Sequence, residues 1–218
     1  MNKINERQKL LLLNLIREYI EKPKLVSSFD LFKRLKGSFS PATIRNEMAV
    51  LTKNGYLKKD FFSAGRKPTD KAYRFFVNHI FQTVKNKKFF LNEGIIKRNQ
   101  MTDVFSFFFK ITKKLVLLTH LLTLGFLKEE EILIKEGWEK IIQAPEFKRM
   151  EFLKELIRFS ENLEKFPQKI ENNFDLKVYI GRKNPFGLFY HLSFFSFGFP
   201  FVSNKKCFFL LVGPKRID

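Results

Sequence analysis

The chain is short of the residues on which most chemistry depends. Cys207 is the only cysteine in 218 residues, so no disulfide can close within the chain and no cysteine-based zinc site can form. Cys207 opens the run Cys207-Phe208-Phe209-Leu210-Leu211-Val212 and reads as a small buried hydrophobe. The three histidines, His79, His120 and His191, lie far apart with no ligand-like spacing. No phosphate-cradling glycine loop, nucleophile elbow or metal signature occurs. Glu129-Glu130-Glu131 reads as negative charge at a helix start rather than as acid–base machinery. An enzyme is therefore the least favoured class, and neither a metal nor a cofactor is expected. Long hydrophobic runs are missing too. Leu115–Leu127 is uncharged but too short to span a bilayer. Phe186–Asn204 is long enough, yet it contains Gly187, Gly198, Pro200, His191 and three serines. Alternating buried strands explain it better than a membrane helix. With no recognisable signal peptide and one cysteine, a cytoplasmic, nucleoid-associated protein is expected.

Acidic residues are also scarce. Lys+Arg number 41 against 22 Asp+Glu, a net charge of +19 at pH 7, and residues 1–90 hold 20 basic residues against 7 acidic ones. Such a balance favours a polyanionic partner. Abundant Lys, Phe, Asn and Ile also follow from AT-rich coding, but that does not explain why the front of the chain is so poor in acid. The 44% hydrophobic content fills a core for one or two domains. Lys85-Asn86-Lys87-Lys88 reads as a boundary or an exposed bend, and as a boundary it gives domains over 1–88 and 89–218.

Helical periodicity runs from Glu6 to Glu21, with Leu12, Leu15, Ile16 and Tyr19 on one face, and Lys22-Pro23-Lys24 ends it. A second helix starts at Ser27 or Ser28, and Lys36-Gly37-Ser38 is its turn. Ser40 then caps a third helix with Pro41 at its first position, where the missing amide costs nothing. Ile44, Met48 and Leu51 recur on its inner face, while Ala42, Arg45, Asn46 and Ala49 point outward. Asn54-Gly55 closes this helix and opens a hairpin. Tyr56–Phe62 is its first strand and Ser63–Lys67 its basic tip. Thr69 or Asp70 caps a fourth helix, from Lys71 to about Val84.

This order of elements predicts the recognition helix and wing of a winged helix-turn-helix, which places a helix in the major groove of DNA. The candidate DNA-binding residues are Ser40, Ala42, Thr43, Arg45, Asn46, Lys53, Ser63, Arg66, Lys67 and Thr69. Arg to guanine and Asn to adenine are the natural major-groove pairings. Thr43 either touches a phosphate or thymine methyl or helps to cap its helix, and Ser40 reads as a cap before a contact, though it could do both. Arg66 and Lys67 at the tip are expected to reach phosphate or the minor groove. Lys53, Lys58 and Lys59 would be phosphate contacts of low specificity.

Beyond the boundary, 92–113 reads as helix, 115–124 as an apolar strand or helix, and Leu127–Ile142 as helix. Glu151–Asn172 holds one or two further helices. The tail alternates strands and turns, with strands over Leu176–Ile180, Leu188–Phe197 and Cys207–Val212.

Several segments, in order, resemble the heat-inducible transcription repressor HrcA family. They are Glu6-Arg7-Gln8, Ser40–Met48, Ser63-Ala64-Gly65-Arg66, Pro68-Thr69-Asp70-Lys71 and Tyr73-Arg74-Phe75, then Ala144-Pro145-Glu146-Phe147, Tyr179-Ile180-Gly181 and Val212-Gly213-Pro214-Lys215-Arg216. The resemblance implies a homodimeric repressor whose heads bind an inverted-repeat operator in double-stranded DNA upstream of chaperone genes. It also implies a GAF-like domain carrying a dimerising insertion, and coupling to the chaperonin. The chain departs from the family pattern at Phe61-Phe62, where Pro-His is usual, and at Ala72, where glycine is usual. The region before Glu136-Gly137 is shorter, so the central sheet and the insertion are expected to be reduced. The fold expected is α+β, a winged helix-turn-helix followed by a reduced GAF-like domain with a small Phe-rich sheet. The alternative function is a non-specific nucleic-acid-binding or protein-interaction module on a winged-helix scaffold.

Overall fold

Five stretches of the chain, residues 4–59, 65–85, 104–169, 174–200 and 205–216, are described by a computed structural model. Ser63 and the second half of the expected strand Tyr56–Phe62 lie outside the described residues, as does the first half of the expected helix over 92–113. The chain is mixed α and β. It divides into two units, Met1–Phe89 with Arg216–Asp218, and Phe90–Lys215.

The first unit runs α1 (Glu6–Glu21), α2 (Ser28–Arg34), α3 (Pro41–Lys53), β1 (Leu57–Lys59), β2 (Arg66–Pro68) and α4 (Asp70–Lys85). The helix starts are set locally. The Gln8 backbone N–H donates to Asn5 Oδ1 at 2.8 Å, and the Asn5 N–H donates to Gln8 Oε1 at 3.3 Å, a reciprocal cap. Ser27 and Asp30 repeat the device at α2. At α3 the Thr43 N–H donates to Ser40 Oγ at 3.1 Å. Leu11, Leu12, Leu15 and Ile16 of α1, Leu31 of α2, and Ile44, Met48 and Leu51 of α3 are buried as the three helices pack together. Each such side chain is worth about 1.5–3 kcal/mol when fully removed from water.

Between α2 and α3 the chain turns through two left-handed residues, Lys36 (φ 49°) and Gly37 (φ 77°). The Gly37 N–H returns to the Phe32 carbonyl at 3.1 Å and closes α2. Arg34 ties α2 to α1, its guanidinium reaching Glu18 at 2.8 Å and the two oxygens of Glu21 at 2.8 and 2.6 Å. β1 and β2 form an antiparallel ribbon with Lys58 opposite Lys67 and Lys59 opposite Arg66. Val26 bridges to Arg66 through two 2.9 Å backbone bonds, anchoring the ribbon to the segment ahead of α2.

The second unit contains α5 (Val104–Thr119), β3 (Leu122–Leu127), β4 (Ile132–Glu136), α6 (Trp138–Ile141), α7 (Met150–Ser160), α8 (Phe166–Lys169), β5 (Lys177–Ile180), β6 (Leu192–Pro200) and β7 (Lys206–Pro214). The strands form one antiparallel sheet in the order β4-β3-β7-β6-β5. α5 packs on β3 and β4, burying Phe108, Thr112 and Val116. Gly125 permits that approach, because a Cβ there would lie 2.8 Å from Thr112 Oγ1 and 2.9 Å from the Phe108 ring. A second core joins Ile141, Phe147, Leu156, Phe159 and Phe166 to Leu122, Phe194, Phe208, Leu210 and Val212 of the sheet.

The expected helix over Leu127–Ile142 is instead a hairpin, β3 to β4, followed by the single turn of α6. Its acidic run is the hairpin's turn. Glu131 adopts φ 55°, Glu129 accepts the Lys206 N–H at 2.7 Å, and Glu130 pairs with the Lys205 ammonium. At this bend Lys206 at the start of β7 and Lys205 just ahead of it supply partners for two of the three charges. The stretch 115–124, open between helix and strand, divides into the end of α5 and the start of β3, with His120 in the left-handed region (φ 56°) between them. The sheet is larger than expected because β3 and β4 come from this misread region.

Candidate nucleic-acid interface

α3 presents two unlike faces. Ile44, Met48 and Leu51 are buried, whereas Ala42, Arg45, Asn46, Ala49 and Lys53 are exposed. Ser40 is exposed and Thr43 half-buried, with their hydroxyls 2.9 Å apart. The third residue type on this helix, Glu47, sits at the border of the two faces and is held by α1. Gln8 Nε2 donates to one of its oxygens at 3.0 Å, and Arg7 reaches the other at 3.4 Å.

The ribbon stands beside the C-terminal half of α3. Arg66 Nε donates to Thr52 Oγ1 at 3.2 Å, and that hydroxyl donates to the Met48 carbonyl at 2.7 Å. Lys71 Nζ donates to the Asn54 carbonyl at 2.8 Å and lies 4.3 Å from the Tyr56 ring centroid. This cation closes the end of α3, where the last carbonyls gather partial negative charge. Lys58 and Lys59 are exposed on β1.

Two expectations need correction. Arg66 and Lys67 are not at the ribbon tip: both belong to β2, in register with Lys59 and Lys58. The ladder reaches them because Val26 pairs with Arg66 from the other side and extends the strand. Arg66 is half-buried and bound to α3. Thr69 caps α4 as expected, its hydroxyl accepting from the Ala72 N–H at 3.4 Å, and it also donates to the carbonyls of Gly55 (2.8 Å) and Tyr56 (3.0 Å). The structure thus brings Ser40, Ala42, Thr43, Arg45, Asn46 and Lys53 together on one helix, places Lys67 on the adjoining strand, and uses Arg66 and Thr69 to hold the ribbon.

Sequence reasoning missed Gln8, Thr52 and Lys71. Their partners are 39, 14 and 17 residues away, beyond any local periodicity. In the second unit His191 Nδ1 lies 3.0 Å from Glu155, whose oxygens also accept the Tyr190 and His191 N–H groups at 2.9 Å. That buried carboxylate is a loop anchor. Among the described residues no group of three or more His, Cys, Asp or Glu is placed to hold a metal ion, and no helix is long and apolar enough to cross a membrane.

Comparison with known proteins decides the family. The model of the HrcA protein C terminal domain matches residues 44–218. The chain belongs to the HrcA family. A heat-inducible transcription repressor HrcA of Halalkalibacterium halodurans is 40% identical over 103 residues, 46% of this chain and 30% of the relative. Another, from Alkaliphilus metalliredigens, is 43% identical over 98 residues, 45% of this chain and 26% of the relative. The matched region therefore spans about a third or less of these HrcA relatives. A crystal structure described as that of a hypothetical protein superposes with a TM-score of 0.81 at 20% identity, covering 99% of this chain and 93% of that one, a likeness of fold.

Proposed function

We propose that the chain is a sequence-specific DNA-binding transcription repressor, and that its first unit is a winged helix-turn-helix with α3 as the recognition helix and the β1–β2 ribbon as the wing. The observation that carries this reading is the division of α3 into a buried apolar face and an open face bearing Arg45 and Asn46. Membership of the HrcA family and the repressor names of the relatives support it.

Arg45 would donate to a guanine edge and Asn46 bond an adenine, while Lys53, Lys58, Lys59 and Lys67 neutralise phosphates. Ser40 and Thr43 would meet the backbone at the helix N-terminus, and Ala42 would leave room for close approach. Ser63, which lies outside the described residues, would add a further contact. The second unit, read as a reduced GAF-like domain, would pair two copies so that two heads read an inverted repeat. Coupling to the chaperonin is carried over from the family resemblance alone.

Selection of duplexes from a random library with the full chain tests the reading. A duplex bound at least about a hundredfold more tightly than its scrambled counterpart is expected. Equal affinity for the two would defeat sequence-specific repression and leave non-specific binding.

A further inference from the structure

Glu47 follows directly on the outward pair Arg45 and Asn46, so whatever holds its side chain fixes how that pair is presented. Gln8 does so from α1. It is only 9% exposed, and both ends of its amide are engaged: Oε1 accepts the Asn5 N–H, and Nε2 donates to Glu47 Oε2. The orientation of that amide is dictated by its partners, since a backbone N–H only donates and a carboxylate only accepts. The other Glu47 oxygen is held by Arg7, whose guanidinium also lies 5.8 Å from the Phe39 ring just ahead of the Ser40 cap. The Asn5 cap fixes Gln8, and Gln8 fixes Glu47.

Apart from Gln8 and Glu18, the buried residues of α1 and α3 are apolar. Apolar burial is non-directional, whereas a hydrogen bond from a locked donor is sensitive to both distance and angle and so adds a specific constraint on α3. A base-reading side chain needs its helix held to roughly 0.5 Å and 10–20°. We propose that Gln8, through its hydrogen bond to Glu47, is the positioning residue that sets the roll and depth of α3, and with them the sequence discrimination of the head, without touching DNA itself. The proposal rests on the reading of α3 as the recognition helix.

The probe is the duplex selected with the full wild-type chain, and the reference is a scrambled duplex of equal length and composition. Gln8→Met keeps the length and apolar packing of the side chain and removes its hydrogen bonds. It is expected to lower the ratio of selected to scrambled affinity about tenfold. Scrambled-duplex affinity and the salt slope should hold, because the phosphate contacts remain. Glu47→Ala is expected to reproduce that loss, and it stands in if Gln8→Met unfolds the cap of α1. Glu47→Gln keeps an acceptor for Gln8 and is expected to retain the ratio within about twofold. An unchanged ratio in Gln8→Met and Glu47→Ala overturns the proposal. So does an equal loss on both duplexes that tracks a fallen melting temperature, which would make Gln8 only part of the helix cap. If the wild-type chain itself prefers no duplex, the recognition-helix reading fails and the positioning role fails with it, a result distinct from either of the others.

Discussion

At the scale of single residues, the open face of α3 separates side chains expected to read bases from those expected to meet phosphate. Arg45→Ala should cost roughly 1–3 kcal/mol on a selected duplex and flatten discrimination, whereas Lys67→Ala should weaken all duplexes alike and reduce the salt slope by about one. Titrations of both variants against selected and scrambled duplexes at several salt concentrations check this. A uniform loss in Arg45→Ala would remove Arg45 from base reading. Cys207 offers a test of the second unit. Burial pushes its thiol up to about 12, and its S–H donates to the Phe199 carbonyl at 3.4 Å. Since only the thiolate is reactive, Cys207 should resist alkylation at neutral pH in the folded protein and react in denaturant. Labelling at equal rates in both would show that β7 opens readily.

At the scale of elements, the packing of α2 on α1 carries an electrostatic part, the Arg34 bonds to Glu18 and Glu21, that depends on pH. Burial works to raise the Glu18 carboxyl, but hydrogen bonds from Lys22 and Arg34 outweigh it and leave the group below its ordinary value of 4.5. At Glu21 the Arg34 hydrogen bonds dominate, again lowering the value. Folded values below the unfolded ones mean that this stability is complete above the ordinary carboxylate range and is lost as pH falls through the folded values. Thermal melts between about pH 7 and pH 3 should show a falling acid limb, and Arg34→Met should lower the neutral melting temperature and shallow that limb. An acid limb of unchanged steepness in Arg34→Met would place its origin elsewhere. Packing decides the other unit. Gly125→Ala would drive a methyl group against Thr112 and Phe108, at a cost of about 1–3 kcal/mol, measurable by denaturant unfolding. Wild-type stability in this variant would mean that α5 shifts freely over β3.

At the scale of the whole molecule, one short helix and its wing give limited specificity, and two heads on a two-fold axis would supply the rest. Light scattering of the chain with a selected duplex should find two protomers per duplex, and a single protomer on a palindromic site would exclude paired heads. This expectation comes from the family resemblance and from the physics of half-sites.

How much the sequence disclosed differs sharply between the two halves. α1 was legible from its helical period, and the starts of α2 and α3 because capping is local: Ser27, and Ser40 with Pro41, act over three or four residues. The outward placement of Arg45 and Asn46 was legible for the same reason, since period alone assigns the faces of a helix. The hairpin over 122–136 was not, because a charged run followed by Ile132-Leu133-Ile134 suits a helix start as well as a turn. Only Lys205 and the backbone of Lys206, some eighty residues on, supplied the partners that hold it as a turn. Arg66 read as part of the ribbon tip until its pairing with Val26 and Thr52 placed it in β2 against α3. Local propensity thus fixed which residues face away from the core. Long-range hydrogen bonds, unavailable to any window of the chain, decided which of those outward side chains stay free and how the helix that carries them is held.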